Sequence, residues 1–398
     1  MTDKPIPMRW TTWVYLVLVS LRCLFVVWRT DRSRYRALMR SLYMTLSAGA
    51  RGDFFKLLLE QLVIPNYRLK ANIQLGRPSL TVYRKFFELI QSVESRDAPA
   101  LQERNKPRYL LIRDGAMGDV LMLTPVVHAL HTAHAGDVSI DVATHAAVVF
   151  DHNPYVNQVL SPKQLARGVR TYDVVVDLNG VYERMPNTHP VNAYAKVVLG
   201  AADFDKKLEL YPTPADVALI DEVVQKIGAS YVVVHQFSHD WPNRTIASEV
   251  WAQALNAITA SGTMKVVYVG TSQDLAPVRD AQHLDHRARY TLQQLSVLIA
   301  KSQGFIGGDS GPSHVAATTD VPMAVFYTCA HHEARMPLRA GGRFLPIFPQ
   351  LDCYGCLTRR TLPRLGYFCE RVDNACVNSF DDIGLAIRDF LSTDTSLT

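Results

Sequence analysis

Two short glycine-rich turns, one in each half of the chain, constrain the fold more than anything else in the sequence. The first reads Arg113-Asp114-Gly115-Ala116-Met117-Gly118-Asp119, the second Gly307-Gly308-Asp309-Ser310-Gly311-Pro312-Ser313-His314. Each follows an apolar run of the length of a buried strand, and each leads into a helical pattern. Strand, glycine turn and helix form the unit from which α/β domains build ligand sites at the carboxyl ends of parallel strands. Two such units far apart in one chain predict two Rossmann-like domains facing a cleft. Each turn also carries a carboxylate. That suits group transfer, with a donor phosphate held on one side and an acceptor on the other.

The rest of the pattern agrees with an α/β class. Short β-rich runs are expected at Tyr109–Arg113, Val138–Ala143, Asp173–Leu178, Tyr231–His235, Lys265–Val269, Gly304–Gly307 and Met323–Tyr327. Helical patterns between them include Val120–Thr132, Ser248–Ala260 and Leu292–Lys301. Alternation of this kind predicts parallel sheets with crossover helices. Tyr211-Pro212-Thr213-Pro214 reads as the hinge. The expected division is a helical arm and linker over 1–106, one Rossmann-like domain over 107–212, a second over 213–350, and a cysteine-rich segment with a terminal helix over 351–398.

Charge is unevenly placed. The net charge is +5, and the basic excess lies within the first 60 residues. The body is close to neutral, which argues against a nucleic-acid groove and leaves a membrane surface as the partner of the arm. Residues 10–28 read WTTWVYLVLVSLRCLFVVW, with Arg22 the one charge. As a helix this spans roughly 28 Å, against a hydrocarbon core of about 30 Å. Tryptophans at both ends suit the interface, and the arginines from Arg29 to Arg40 place the remainder of the chain in the cytoplasm by the positive-inside rule. Arg22 opposes a plain span. Three readings stay open: an interfacial anchor, a span, or a helix buried in the protein or in a contact between copies. No small-residue cleavage site comes after the segment, so a removable signal peptide is not expected.

Cys353, Cys356, Cys369 and Cys376 crowd near the end of the chain. A CxxC start with two more thiols after it matches tetrahedral spacing for structural zinc or iron. The alternative is free thiols. Arg359, Arg360, Arg364 and Arg371 lie in the same segment, either facing an anionic acceptor or solvated.

The turns can be read as chemistry. Gly115 and Gly118 allow close approach to the backbone. Asp119 behind them could take a proton from an attacking hydroxyl, or could merely cap its helix. Ser310 and Gly311 open a helix whose N-terminal end would favour a diphosphate. His314, one turn on, would add a donor or a charge to that group, or would be a core histidine. No closely spaced acidic pair accompanies the phosphate turn, so no divalent metal is expected in catalysis.

Taken in order, YLLIRDGAMGDVLMLTPVVHAL, HNPYVNQVL, YDVVVDLNG, VVVHQFSHDWPNRTIASEVWAQAL, VVYVGTSQD and LSVLIAKSQGFIGGDSGPSHVAATTDVPMAVFY resemble glycosyltransferase family 9. These are the ADP-heptose heptosyltransferases of lipopolysaccharide core assembly and their relatives. The resemblance covers roughly 107–390 and does not reach the first 106 residues. It implies a GT-B fold and an inverting transfer with Asp119 as general base. It also implies Arg244 neutralising the leaving diphosphate, the alternative being a solvated surface arginine. By the resemblance Asp309 would hold a sugar hydroxyl; Asp274, after the turn at Gly270, could hold the nucleotide ribose as acidic groups do in Rossmann sites. The implied partners are a nucleotide sugar, ADP-heptose foremost, and a glycan or glycolipid acceptor at the cytoplasmic face of the bacterial inner membrane, with homo-oligomers conceivable. The cysteine segment resembles that of the branch that glycosylates autotransporter proteins, a four-cysteine iron finger. A protein acceptor is therefore the alternative within enzymes, and a non-catalytic membrane-docked assembly protein the alternative outside them.

Overall fold

The computed structural model describes residues 106–160, 172–200, 203–236, 242–260, 262–272, 274, 280–339, 341–359, 369 and 373–392. The chain divides into two units, Met1–Glu103 and Arg104–Thr398. Everything described lies in the second. The apolar segment 10–28 and its arginines fall outside the described residues, among which no helix is long and apolar enough to cross a membrane.

The first sheet is built from β1 (Arg108–Ile112), β2 (Ser139–Ala143), β3 (Gln158–Leu160) and β4 (Val174–Asp177), in the order β3-β2-β1-β4 and wholly parallel. Helices α1 (Met117–Leu121), α2 (Thr124–Ala133) and α3 (Pro190–Val198) accompany it. Residues 203–213, where described, carry neither helix nor strand. Then come α4 (Pro214–Ile227), β5 (Tyr231–His235), α5 (Ser248–Thr259), β6 (Lys265–Tyr268), β7 (His283–Asp285), α6 (Leu292–Ala300), β8 (Phe305–Gly308), α7 (Gly311–Ala316), β9 (Met323–Phe326), α8 (His332–Arg335), β10 (Phe344–Ile347) and α9 (Ile383–Ser392). The second sheet runs β10-β9-β8-β5-β6-β7, again all parallel. Read from β7, this is the Rossmann order 3-2-1-4-5-6, and the first sheet is its 3-2-1-4 portion. The fold is α/β of GT-B type, with two Rossmann-like sheets.

Local chemistry explains these elements. β5, β8 and β9 are buried along their whole length, which is why they read as unbroken apolar runs rather than alternating ones. α4 starts at a reciprocal Thr213–Asp216 capping box and stops at Gly228 in the left-handed region, as cap chemistry requires. α6 starts the same way, through Thr291 and Gln294.

Two details differ from expectation. The helix expected over 120–132 is two, broken at Met122–Leu123, because Pro125 suits a first helical turn better than an interior. The short strands β3, β7 and β10 were not expected. Each pairs with one neighbour at a sheet edge, and Pro346 is tolerated in β10 for that reason. The helix that Ser310 and Gly311 open is short, ending at Ala316 with Ala317 as its C-cap.

Candidate active site

In sheets of this order, ligands bind beyond the carboxyl ends of the strands where the strand order reverses. In the first sheet that point lies between β1 and β4, which deliver Arg113–Gly115 and Leu178–Asn179. In the second it lies between β5 and β8, which deliver His235 and Asp309–Ser310. The two ends meet. A Cβ added to Gly118 would lie 3.0 Å from His314 Cδ2 and 3.4 Å from Gly311 Cα. The glycine that sequence reasoning reserved for a ligand thus also admits the opposing turn.

Asp119 does not cap its helix. The N-cap of α1 is Ala116, without a side-chain bond. The Asp119 carboxylate turns back across the turn instead. Its Oδ2 lies 3.1 Å from Arg113 Nη2, and its Oδ1 accepts from the Tyr182 hydroxyl at 2.8 Å. Tyr182 and Glu183 come from a 3₁₀ turn, Tyr182–Arg184. The Tyr182 ring also carries the guanidinium of Arg335, 4.7 Å from its centroid. Burial holds the Tyr182 and Tyr194 hydroxyls well above the ordinary tyrosine range, so both stay protonated beside the carboxylate.

On the facing side, Arg244 stands in a 3₁₀ turn, Pro242–Arg244, and is not a solvated surface arginine. Its Nη2 lies 3.1 Å from Asp309 Oδ2 and also donates to the Asp309 carbonyl. Ser310 is the N-cap of α7, but its hydroxyl makes no cap bond. That hydroxyl donates to the Gly308 carbonyl at 3.2 Å and meets His235 Nδ1 at 2.9 Å. Asp274 sits behind this group. Its Oδ2 accepts from Thr271 N at 2.6 Å and lies 3.4 Å from His235 Nε2. His314 is buried, and burial lowers its pKa, so at neutral pH it serves as a neutral imidazole and not as a cation. Its Nδ1 has no hydrogen-bond partner among the described residues.

The structure brings Asp119, Arg244, Asp309, Ser310, Gly311 and His314 together, with Asp274 behind them at His235. Sequence reasoning missed Arg113 as a participant, and also Tyr182, Glu183, His235 and Arg335. A charge closing a buried strand was the signal for Arg113. The others lie in short turns with no periodicity to read.

Cys329, Cys353, Cys356 and Cys369 all lie close enough to Cys376 to act on its thiol. Among the described residues no group of three or more His, Cys, Asp or Glu is placed to hold a metal ion; residues 360–368 and 370–372, between Cys356 and Cys376, lie outside the described residues. Burial pushes the Cys329 and Cys376 thiols up to about 12, with neighbouring thiols adding to it. Cys376 points its sulfur at the Asn243 carbonyl, 3.8 Å away, and Ala247 N donates to Val377 O at 3.0 Å. The segment therefore underpins the turn that presents Arg244.

Two Rossmann-like sheets with a carboxylate on one side facing a cationic turn on the other make an arrangement of GT-B type. Residues 181–343 match the model of glycosyltransferase family 9 (heptosyltransferase). Asp119 and its turn precede the matched segment. No curated protein sequence matches the chain. Among solved structures, a family 9 glycosyltransferase from Veillonella parvula DSM 2008 is similar, with a TM-score of 0.54 at 15% identity over 73% of this chain and 98% of that one. The dodecameric iron-containing heptosyltransferase TibC, known from enterotoxigenic E. coli H10407 and solved with ADP-D-β-D-heptose, gives 0.54 at 14% over 75% and 80%. ADP-heptose LPS heptosyltransferase II of E. coli gives 0.52 at 14% over 71% and 97%. At these identities the likeness is one of fold.

Proposed function

We propose that the chain transfers a heptose from ADP-heptose, with inversion, to a glycan hydroxyl activated by Asp119. The observation that carries this reading is the placement of Asp119 directly across from the Arg244–Asp309–Ser310 group, where Gly118 meets Gly311 and His314. A base on one side of the anomeric carbon and a leaving-group site on the other suits in-line displacement, which inverts the centre. Arg244 exchanges its bond to Asp309 for the departing diphosphate, and Asp309 is released to a sugar hydroxyl. Electrostatic stabilisation of this kind is commonly the largest single contribution to catalysis. Asp274 acts on the ribose side. No divalent metal is assigned to the reaction. The donor assignment draws on TibC and its bound ADP-D-β-D-heptose.

The acceptor is proposed to be a lipid-linked, lipopolysaccharide-core-like glycan at the cytoplasmic face of the inner membrane, to which residues 10–28 hold the enzyme. A protein acceptor is the second reading, favoured by the fold likeness to TibC and by the cysteine segment. A panel of nucleotide sugars, scored by nucleoside diphosphate released in the presence of each acceptor class, tests the proposal. ADP-heptose is expected to be the preferred donor, and Asp119→Asn is expected to lose about 10²-fold or more in kcat. Release from another donor only, or a near-parental Asp119→Asn rate, would overturn it.

A further inference from the structure

We propose that Arg113 is a positioning residue for the transfer. One guanidinium shared between Asp119 and Glu183 aims the Asp119 carboxylate at the acceptor while neutralising only part of its charge. This inference rests on the reading of Asp119 as base.

Arg113 is the first residue past the buried end of β1, and its side chain is only 3% exposed. A cation in such a place costs several kcal/mol unless it is paired. Here it has more partners than pairing needs. Nη2 lies 3.1 Å from Asp119 Oδ2 and 3.2 Å from Glu183 Oε1. Nη1 donates to the Leu178 carbonyl at 3.3 Å. The Tyr182 and Tyr194 rings flank the guanidinium, with centroids 5.1 and 5.6 Å away. A planar fork held at this many points cannot swing, and the carboxylate bonded to it is fixed as well. The Tyr182 hydroxyl holds the other carboxylate oxygen.

The second carboxylate is the informative part. A lone Arg–Asp pair would draw the carboxylate's charge onto the guanidinium and leave a weak base. Glu183 competes for the same nitrogen, and its Oε2 has no hydrogen-bond partner among the described residues. The triad therefore carries one net negative charge, and Asp119 keeps part of it. The other groups facing Asp119 leave this balance standing. Tyr182 and Tyr194 stay protonated and His314 is neutral. Arg335, from α8, stands on the Tyr182 ring.

The test compares Arg113→Met, Arg113→Lys, Glu183→Gln and Tyr182→Phe with Asp119→Asn. The readouts are kcat, both KM values, the pH dependence of kcat/KM, nucleoside diphosphate affinity and thermal unfolding. Arg113→Met is expected to lower kcat about 10²-fold, the scale of a lost general-base contribution, with diphosphate affinity unchanged and partial recovery in Arg113→Lys. Glu183→Gln leaves the guanidinium wholly to Asp119. It is expected to lower kcat several-fold and to move the acid limb of the pH profile to lower pH, whereas Arg113→Met moves that limb upward. A merely structural role would shift unfolding without moving the two limbs in opposite directions. If Arg113→Met does not fold, Arg113→Lys and Glu183→Gln decide. Parental kcat and pH profiles in these variants, alongside an inactive Asp119→Asn, would overturn this inference and leave the base assignment standing. An active Asp119→Asn would remove both.

Discussion

Asp119 accepts a bond on each carboxylate oxygen and its side chain is still 21% exposed. A carboxylate offers about four lone-pair sites, so the fixed contacts leave capacity for an acceptor hydroxyl. Gly115 protects this arrangement. A Cβ there would lie 3.1 Å from Asp119 Oδ2 and 3.2 Å from Arg113 Nη2, so Gly115→Ala is expected to cut kcat with little change in donor KM; steady-state kinetics checks the split. On the donor side, Arg244→Ala removes a charge-assisted contact, the kind worth about 1.5–3 kcal/mol. Calorimetry is expected to show nucleoside diphosphate affinity falling by more than tenfold, while brief exposure to chelator leaves the parental rate unchanged. Glycine turns made Asp119, Asp309 and Ser310 legible in the sequence, because a turn at a strand end fixes where the next side chain goes. Tyr182 and Arg335 were not legible. Their roles come from stacking between segments far apart in the chain, which leaves no local pattern.

At the level of elements, strand cores were readable and their ends shifted by about a residue, the usual uncertainty of such boundaries. Of the edge strands, β3, β7 and β10 were lost because three or four half-buried residues resemble loop, while β4 was legible from its run of valines. α3 shows how much an element's start can carry. Its N-cap, His189, accepts from Val191 N through Nδ1 and donates from Nε2 to the Met336 carbonyl at 2.9 Å, so the ring is neutral by construction. Burial lowers its pKa from 6.5 to about 3. Between those values the unfolded chain takes up a proton that the folded chain refuses, so this contribution to stability is lost as pH falls. Asparagine also caps helices and does not titrate. His189→Asn is therefore expected to lose less of its unfolding temperature than the parent between pH 7 and pH 5, measured by calorimetry. The 3₁₀ turn at Ala375–Val377 makes a parallel case. Cys376→Ala should weaken nucleoside diphosphate binding several-fold by loosening the turn beneath Arg244, and an unchanged affinity would confine Cys376 to packing.

For the whole molecule, the two α/β halves were predictable from alternation and from the paired turns, since the parallel sheet follows from that alternation. Removal of residues 1–40 is expected to shift the protein from the membrane to the soluble fraction while transfer to a short soluble acceptor continues. Unfolding or a changed oligomeric state would make the arm a packing element. The approach of Gly118 to Gly311 and His314 carries a different consequence, one of timing. Parting of the two turns would widen the way in for donor and acceptor and the way out for products. Opening steps of this kind commonly limit turnover once chemistry is fast. Rapid mixing of enzyme with donor and acceptor should then give a burst of product close to one equivalent per site, and after it a slower steady rate that falls as solvent viscosity rises.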